Sequence, residues 1–124
     1  MNEELIAITK EVIARATHYD VPYVKQAYAD KLFIMNVDDD GSVATMTKEQ
    51  LVGFQQQRKD ANLPPLSDKT EFHYAVADGN MGVVAITREL DVNGRHSRRF
   101  LTLIYEYLDG RWQIVKETSI ARAK

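Results

Sequence analysis

The chain has 124 residues, of which 44 % are hydrophobic, 27 % charged and 9 % aromatic, the make-up of one domain over residues 1–124 that buries a core without metal or disulfide staples. Zero cysteines exclude a disulfide framework, a thiolate nucleophile and any cysteine-based metal centre, and sixteen Lys+Arg against eighteen Asp+Glu, a formal charge of -2, argue against a dedicated nucleic-acid binder. Asn2, Glu3 and Glu4 stand where a secretory leader carries basic residues, and no run of about 18 apolar residues occurs, so a soluble, cytoplasmic protein with no membrane segment is expected.

Leu5, Ile8 and Val12 form one stripe, widened by Ile6 and Ile13, while Glu3, Lys10, Glu11 and Arg15 fall largely elsewhere. The spacing predicts an amphipathic helix ending near Thr17 to Tyr19. Asp20 caps a short second helix, with Pro22 in its first turn and Val24, Ala27 and Tyr28 facing inward. Lys31 to Val37 is a compact apolar run that stops at Asp38-Asp39-Asp40-Gly41, and Ser42 to Met46 resumes in extended style, which predicts a hairpin. The three aspartates lack the alternating ligands and closing glutamate of a calcium loop and read as turn residues. Thr47 and Gln50 form a capping box that opens a third helix. Its stripe of Leu51, Phe54 and Arg58 runs to Asn62-Leu63-Pro64-Pro65, where consecutive prolines end it.

From Lys69 to Arg122 the pattern is strands only, broken at Asp78-Gly79-Asn80, Asn93-Gly94 and Asp109-Gly110, so four antiparallel strands in a meander are expected. Helices first and a long sheet afterwards indicate α+β. Pairing counted outward from two-residue turns divides the sheet into two faces. One gathers Phe72, Tyr74, Val76, Val83, Ala85, Thr87, Phe100, Thr102, Ile104, Val115, Glu117 and Ser119, and the other His73, Ala75, Val84, Ile86, Leu90, Leu101, Leu103, Tyr105, Tyr107, Trp112 and Ile114. Both are substantially apolar, so neither suits water. Helices cover one, and a second copy of the chain is the simplest cover for the other. A register slip of one residue would exchange the faces.

His18, His73 and His96 have no metal-ligand spacing, no serine stands in a nucleophile elbow, and no glycine-rich phosphate loop occurs, so no metal and no cofactor are expected. Arg95-His96-Ser97-Arg98-Arg99 is the one concentrated basic patch, which an anionic ligand or nucleic acid could use; the plainer reading is the solvated end of a hairpin, with Arg98 opposite Glu89. Glu117, a carboxylate in mid-strand among apolar neighbours, is the candidate acid or base, because desolvation raises its pKa toward useful values.

Tyr28-Ala29-Asp30 before a strand, Val37 to Gly41 followed by Met46-Thr47-Lys48-Glu49-Gln50-Leu51, and Leu108-Asp109-Gly110-Arg111-Trp112-Gln113-Ile114-Val115 as a final hairpin resemble the NTF2-like superfamily over nearly the whole chain. That superfamily includes ketosteroid isomerases, SnoaL-type cyclases and a branch labelled lumazine-binding. The resemblance implies a cone, with three helices from the N-terminal half packed on a strongly curved antiparallel sheet around a pocket. It implies that the Phe72/Thr102 face lines this pocket, with Tyr28, Asn36 and Phe54 approaching from the helices and first strand and Tyr74, Thr87, Phe100, Thr102, Glu117 and Ser119 on its wall. A homodimer would then form through the face carrying Leu103, Tyr105 and Trp112. The isomerase site does not carry over: its general-base position falls on Asn36, its tyrosine on Val12, and its protonated aspartate on Thr102 to Ile104. The functional expectation is a pocket for a small hydrophobic or aromatic ligand. The alternatives are an isomerase, cyclase or dehydratase using Glu117, and a protein–protein module with a vestigial pocket.

Overall fold

Asn2 opens the first helix by accepting the Leu5 amide at 2.9 Å, and its own amide donates to the Ala75 carbonyl at 2.8 Å, which ties the start of the chain to the sheet. In this computed structural model residues 1–92 and 94–122 are described, the Val92 side chain excepted. The helix, α1 (Glu3–Ala16), buries Leu5, Ile6, Thr9, Val12 and Ile13. Asp20 caps α2 (Val21–Ala27) through the Tyr23 amide. The chain passes at Tyr28 directly into β1 (Tyr28–Val37), so the buried Tyr28 belongs to the strand rather than the helix. The aspartate turn leads to β2 (Val43–Thr47), whose last residue is the N-cap of α3 (Lys48–Asp60). There the reciprocal capping box is present, with Thr47 N donating to Gln50 Oε1 at 2.9 Å and Gln50 N to Thr47 Oγ1 at 3.3 Å. No described helix is long and apolar enough to cross a membrane.

The expected meander follows as β3 (Thr70–Asp78), β4 (Met81–Val92), β5 (Arg95–Leu108) and β6 (Arg111–Arg122). Asn93, of the turn between β4 and β5, lies outside the described residues, and Val92 pairs with Arg95 across it. The six strands form one sheet in the order β2-β1-β6-β5-β4-β3. All pairs are antiparallel except β1 with β6, which is parallel, the long connection between them containing α3 and four strands.

Two bulges correct the division of the faces. On β6 the pairing shifts between Ile104 and Tyr105, where Tyr105 faces Ile114 but Ile104 faces Lys116. Val115 is the extra residue, so Glu117 pairs with Leu103 and Ser119 with Leu101, one position away from the uninterrupted count. On β3 the shift lies between Phe72 and Tyr74, which pairs Phe72 with Ile86. The helix-covered face therefore carries Ala75, Val84, Ile86, Leu101, Leu103, Tyr105 and Ile114, all buried, together with Phe72, Glu117 and Ser119. Tyr74, Val76, Thr87, Phe100 and Thr102 lie on the outer face.

The expected dimer face is corrected with them. Leu103 and Tyr105 are 4 % and 0 % exposed within a single chain, beneath the helices, and Tyr105 exchanges a 2.8 Å hydrogen bond with Thr9 of α1. Trp112 shares that face and donates through Nε1 to Glu4. Leu103 and Tyr105 thus belong to the core and offer no surface to a partner, and Trp112 is half-buried against that core.

Candidate functional site

Leu51 and Phe54 point from α3 toward the sheet yet are only half-buried, because space rather than side chains lies beneath them. This space is a half-open cavity of about 300 Å³, at the lower end of the range of small-molecule sites. Ile34, Met46, Leu51, Phe54, Leu66 and Leu101 supply its apolar wall. Leu66 is placed by its amide, which donates to the Thr17 carbonyl at 3.0 Å, and the preceding turn by Tyr19, whose hydroxyl donates to the Pro64 carbonyl at 2.7 Å.

The polar groups collect at one end. Arg88 and Arg99 are cross-strand partners on β4 and β5, which sets both guanidinium groups on the cavity side of the sheet. Arg99 donates to Asp38 Oδ1 at 2.6 Å and Ser119 Oγ at 3.0 Å, and Arg95 to Asp39 Oδ1 at 2.5 Å. The third aspartate of the turn, Asp40, accepts the Ser42 amide at 2.9 Å, so the run acts as two counter-ions and a turn cap. Arg88 donates to the Ser67 carbonyl at 2.5 Å, and its buried Nε has no acceptor.

Glu117 rises from β6 between its register partners Ile34 and Leu103, two aliphatic neighbours that account for its environment. It is half-buried and lines the cavity. Burial pushes its carboxyl up to about 7, against the pull of the Arg88 and Arg99 charges, which favour ionisation. The buried Tyr28 phenol is also raised, first by desolvation and then by the charge of Glu117.

Of the residues expected at the site, Asn36, Phe54, Glu117 and Ser119 line this cavity, and Tyr28 lies in the adjoining core. The others lie elsewhere. Phe72 flanks a shallow groove beside α1, beneath the Lys10 ammonium. Tyr74 borders a depression with Met1 and Asn2, Thr102 lies on the outer face, and Thr87 and Phe100 line an outer hollow where His73 Nε2 meets Thr87 Oγ1 at 2.6 Å and the His73 ring stacks on Phe100. Sequence reasoning missed Arg88, and took Arg95 and Arg99, both in the basic run, first for the solvated end of a hairpin. The signal for Arg88 and Arg99 was present in the turn count, which sets Arg88 two residues from Ile86 and Arg99 two from Leu101, on the buried face.

No protein-family model matches the chain, and no curated protein matches it. Solved structures do. An NTF2-like protein from Cytophaga hutchinsonii superposes with a TM-score of 0.75 at 16 % identity, covering 98 % of this chain and 99 % of that one. An NTF-2 like protein of unknown function from Silicibacter pomeroyi gives 0.73 at 18 % identity, covering 95 % and 92 %. A de novo designed protein with a curved β-sheet gives 0.59 at 15 % identity, covering 99 % and 100 %. At these identities the likeness shows the fold alone.

Proposed function

From the NTF2-like α+β fold that this chain adopts, we propose that it is a small-molecule-binding protein whose cavity receives a compact ligand with a hydrophobic or aromatic body. The single observation that carries this reading is the 300 Å³ space beneath Leu51 and Phe54, walled by aliphatic side chains and ending in a cluster of polar groups. Apolar surface left facing a cavity is stabilised when a ligand displaces its water. The cysteine-free composition suits a cytoplasmic setting, and a second copy of the chain, seated on the outer face of the sheet, is the partner we propose.

Ligand-observed NMR with a library of one- and two-ring compounds tests the reading. Ala121 lines the cavity, so Ala121→Phe fills part of it. Hits that bind the parent chain and vanish with Ala121→Phe support the proposal. An absence of hits, or hits indifferent to the substitution, overturns it.

One observation favours a second reading. A carboxyl that titrates near 7 inside a cavity is matched to proton transfer at neutral pH, which suits an isomerase-, cyclase- or dehydratase-type reaction with Glu117 as acid or base. Under that reading, Glu117→Gln keeps ligand binding and abolishes turnover of the bound compound, and unchanged turnover removes Glu117 from the chemistry.

A further inference from the structure

The charges around the cavity are equal in number but not all paired in contact. Its lining contains three cations, Arg88, Arg95 and Arg99, and three carboxylates, Asp38, Asp39 and Glu117. Two of these pair off, Arg95 with Asp39 and Arg99 with Asp38. Arg88 and Glu117 do not complete the third pair: among the described residues no carboxylate oxygen lies within 4.0 Å of the Arg88 guanidinium. The hydrogen bond it has runs to a neutral carbonyl, that of Ser67, and Nε has none. Glu117 and Asp68 act on Arg88 through their charge alone, without contact, and burial outweighs that support; a half-buried cation so placed is costly, and an anion that makes direct hydrogen bonds relieves the cost.

We infer that the cavity selects a small organic acid, its carboxylate docked at Arg88 beside Arg99 and its ring or alkyl body resting on Ile34, Met46, Leu51, Phe54 and Leu101. This inference rests on the small-molecule reading above and narrows it to one class. Arg99 is held by Asp38 and Ser119, and it keeps its position when a ligand arrives. Arg88 is the free member of the cross-strand pair, and a planar fork of donors matches a carboxylate in two parallel hydrogen bonds. Glu117 stands at the same end as an internal competitor. Burial raises its carboxyl to about 7, which disfavours the charged form that would compete with the ligand for Arg88.

Isothermal titration of the parent chain with matched probes at pH 7 tests the inference: benzoate and cyclohexanecarboxylate against benzamide and cyclohexanecarboxamide. The expected result is that each acid binds at least about tenfold tighter than its amide, the discrimination due to charge-assisted hydrogen bonds. Arg88→Gln is expected to abolish the difference by weakening the acids alone, and Arg88→Lys to restore part of it. Glu117→Gln is expected to tighten the acids, because it removes the competing carboxylate. The comparison of acid with amide needs no substitution, so it stands even where a variant fails to fold. Equal affinity of acid and amide overturns the anion inference and leaves the small-molecule reading intact. No binding by either class, together with no cavity-dependent hits in the NMR library, overturns both.

Discussion

Glu117 links the site to the stability of the chain. Its carboxyl titrates near its ordinary value of 4.5 when unfolded and near 7 when folded, the rise caused by burial between Ile34 and Leu103. Between these values the folded chain holds a proton that the unfolded chain has released. Stability is therefore fully present below about pH 4.5, falls as pH rises through 7, and is level beyond, with a total effect on the order of 3 kcal/mol. Glu117→Gln carries no titrating proton and nearly the same shape. Thermal melts from pH 5 to 9 are expected to show the variant more stable than the parent at pH 8, by several degrees, and the gap closing at pH 5. Parallel curves for the two proteins would mean that Glu117 is no more buried when folded than when unfolded. A change at this residue that raises stability at neutral pH identifies a side chain retained at a cost to the fold, as expected where a site is built.

At the scale of elements, what the sequence discloses depends on whether a signal is local. The capping box at Thr47 and Gln50 is set by contacts three residues apart and is legible from the sequence. The Asp109-Gly110 turn is equally legible, since both residues have positive φ, as a tight hairpin of this kind requires. The bulges are not, because Val115 and the Phe72–Tyr74 stretch contain no glycine and their shape is imposed by packing between distant strands. A trace remains in the charges. Without the extra residue Lys116 would pair with Leu103 under the helices; with it, Lys116 faces Ile104 on the outer side. The site residues Glu117 and Ser119 were thus found while the face expected to hold them was exchanged. Packing of α1 on the sheet depends on an equally inconspicuous residue. A Cβ added to Gly82 would stand 2.7 Å from Leu5 Cδ1 and 3.5 Å from Tyr105 Cβ, so the fully buried Leu5 side chain must shift to admit it. Gly82→Ala is expected to cost about 1–3 kcal/mol through overpacking, and adding Leu5→Val to recover part of it. Urea denaturation of the single and double variants checks this. A neutral Gly82→Ala would show that α1 rides up from β4 without penalty.

For the whole molecule the decisive fact is that a sheet with one face already filled still carries apolar side chains on the other. Phe33, Tyr74, Val76, Phe100 and Ile120 are each at least 43 % exposed, and the register sets all of them on the outer side: Val76 with Val83, Tyr74 with Ala85, and Phe100 with Thr87 and Ile120. Between them stand Ala85, Thr102 and Thr118, small or hydroxylated residues whose short side chains let a flat surface approach. Lone exposed apolar residues are ordinary, whereas a set on one face spread across five strands suits an interface. A second copy is the economical occupant, because a two-fold axis lets one self-complementary patch cover both chains. The two proposals together separate the roles, placing ligand on the helix-covered side and partner on the other, so that each is expected to be disrupted without the other. Light scattering at tens of micromolar is expected to give twice the 14.2 kDa of one chain. Phe100→Lys combined with Ile120→Lys is expected to reduce the mass to that of one chain, through charges set where the two copies meet. Ligand affinity is expected to survive in that variant, since neither residue reaches the cavity. A parent chain that scatters as 14.2 kDa at these concentrations would mean that the patch is simply tolerated in water, and a double variant that remains dimeric would move the contact to another surface.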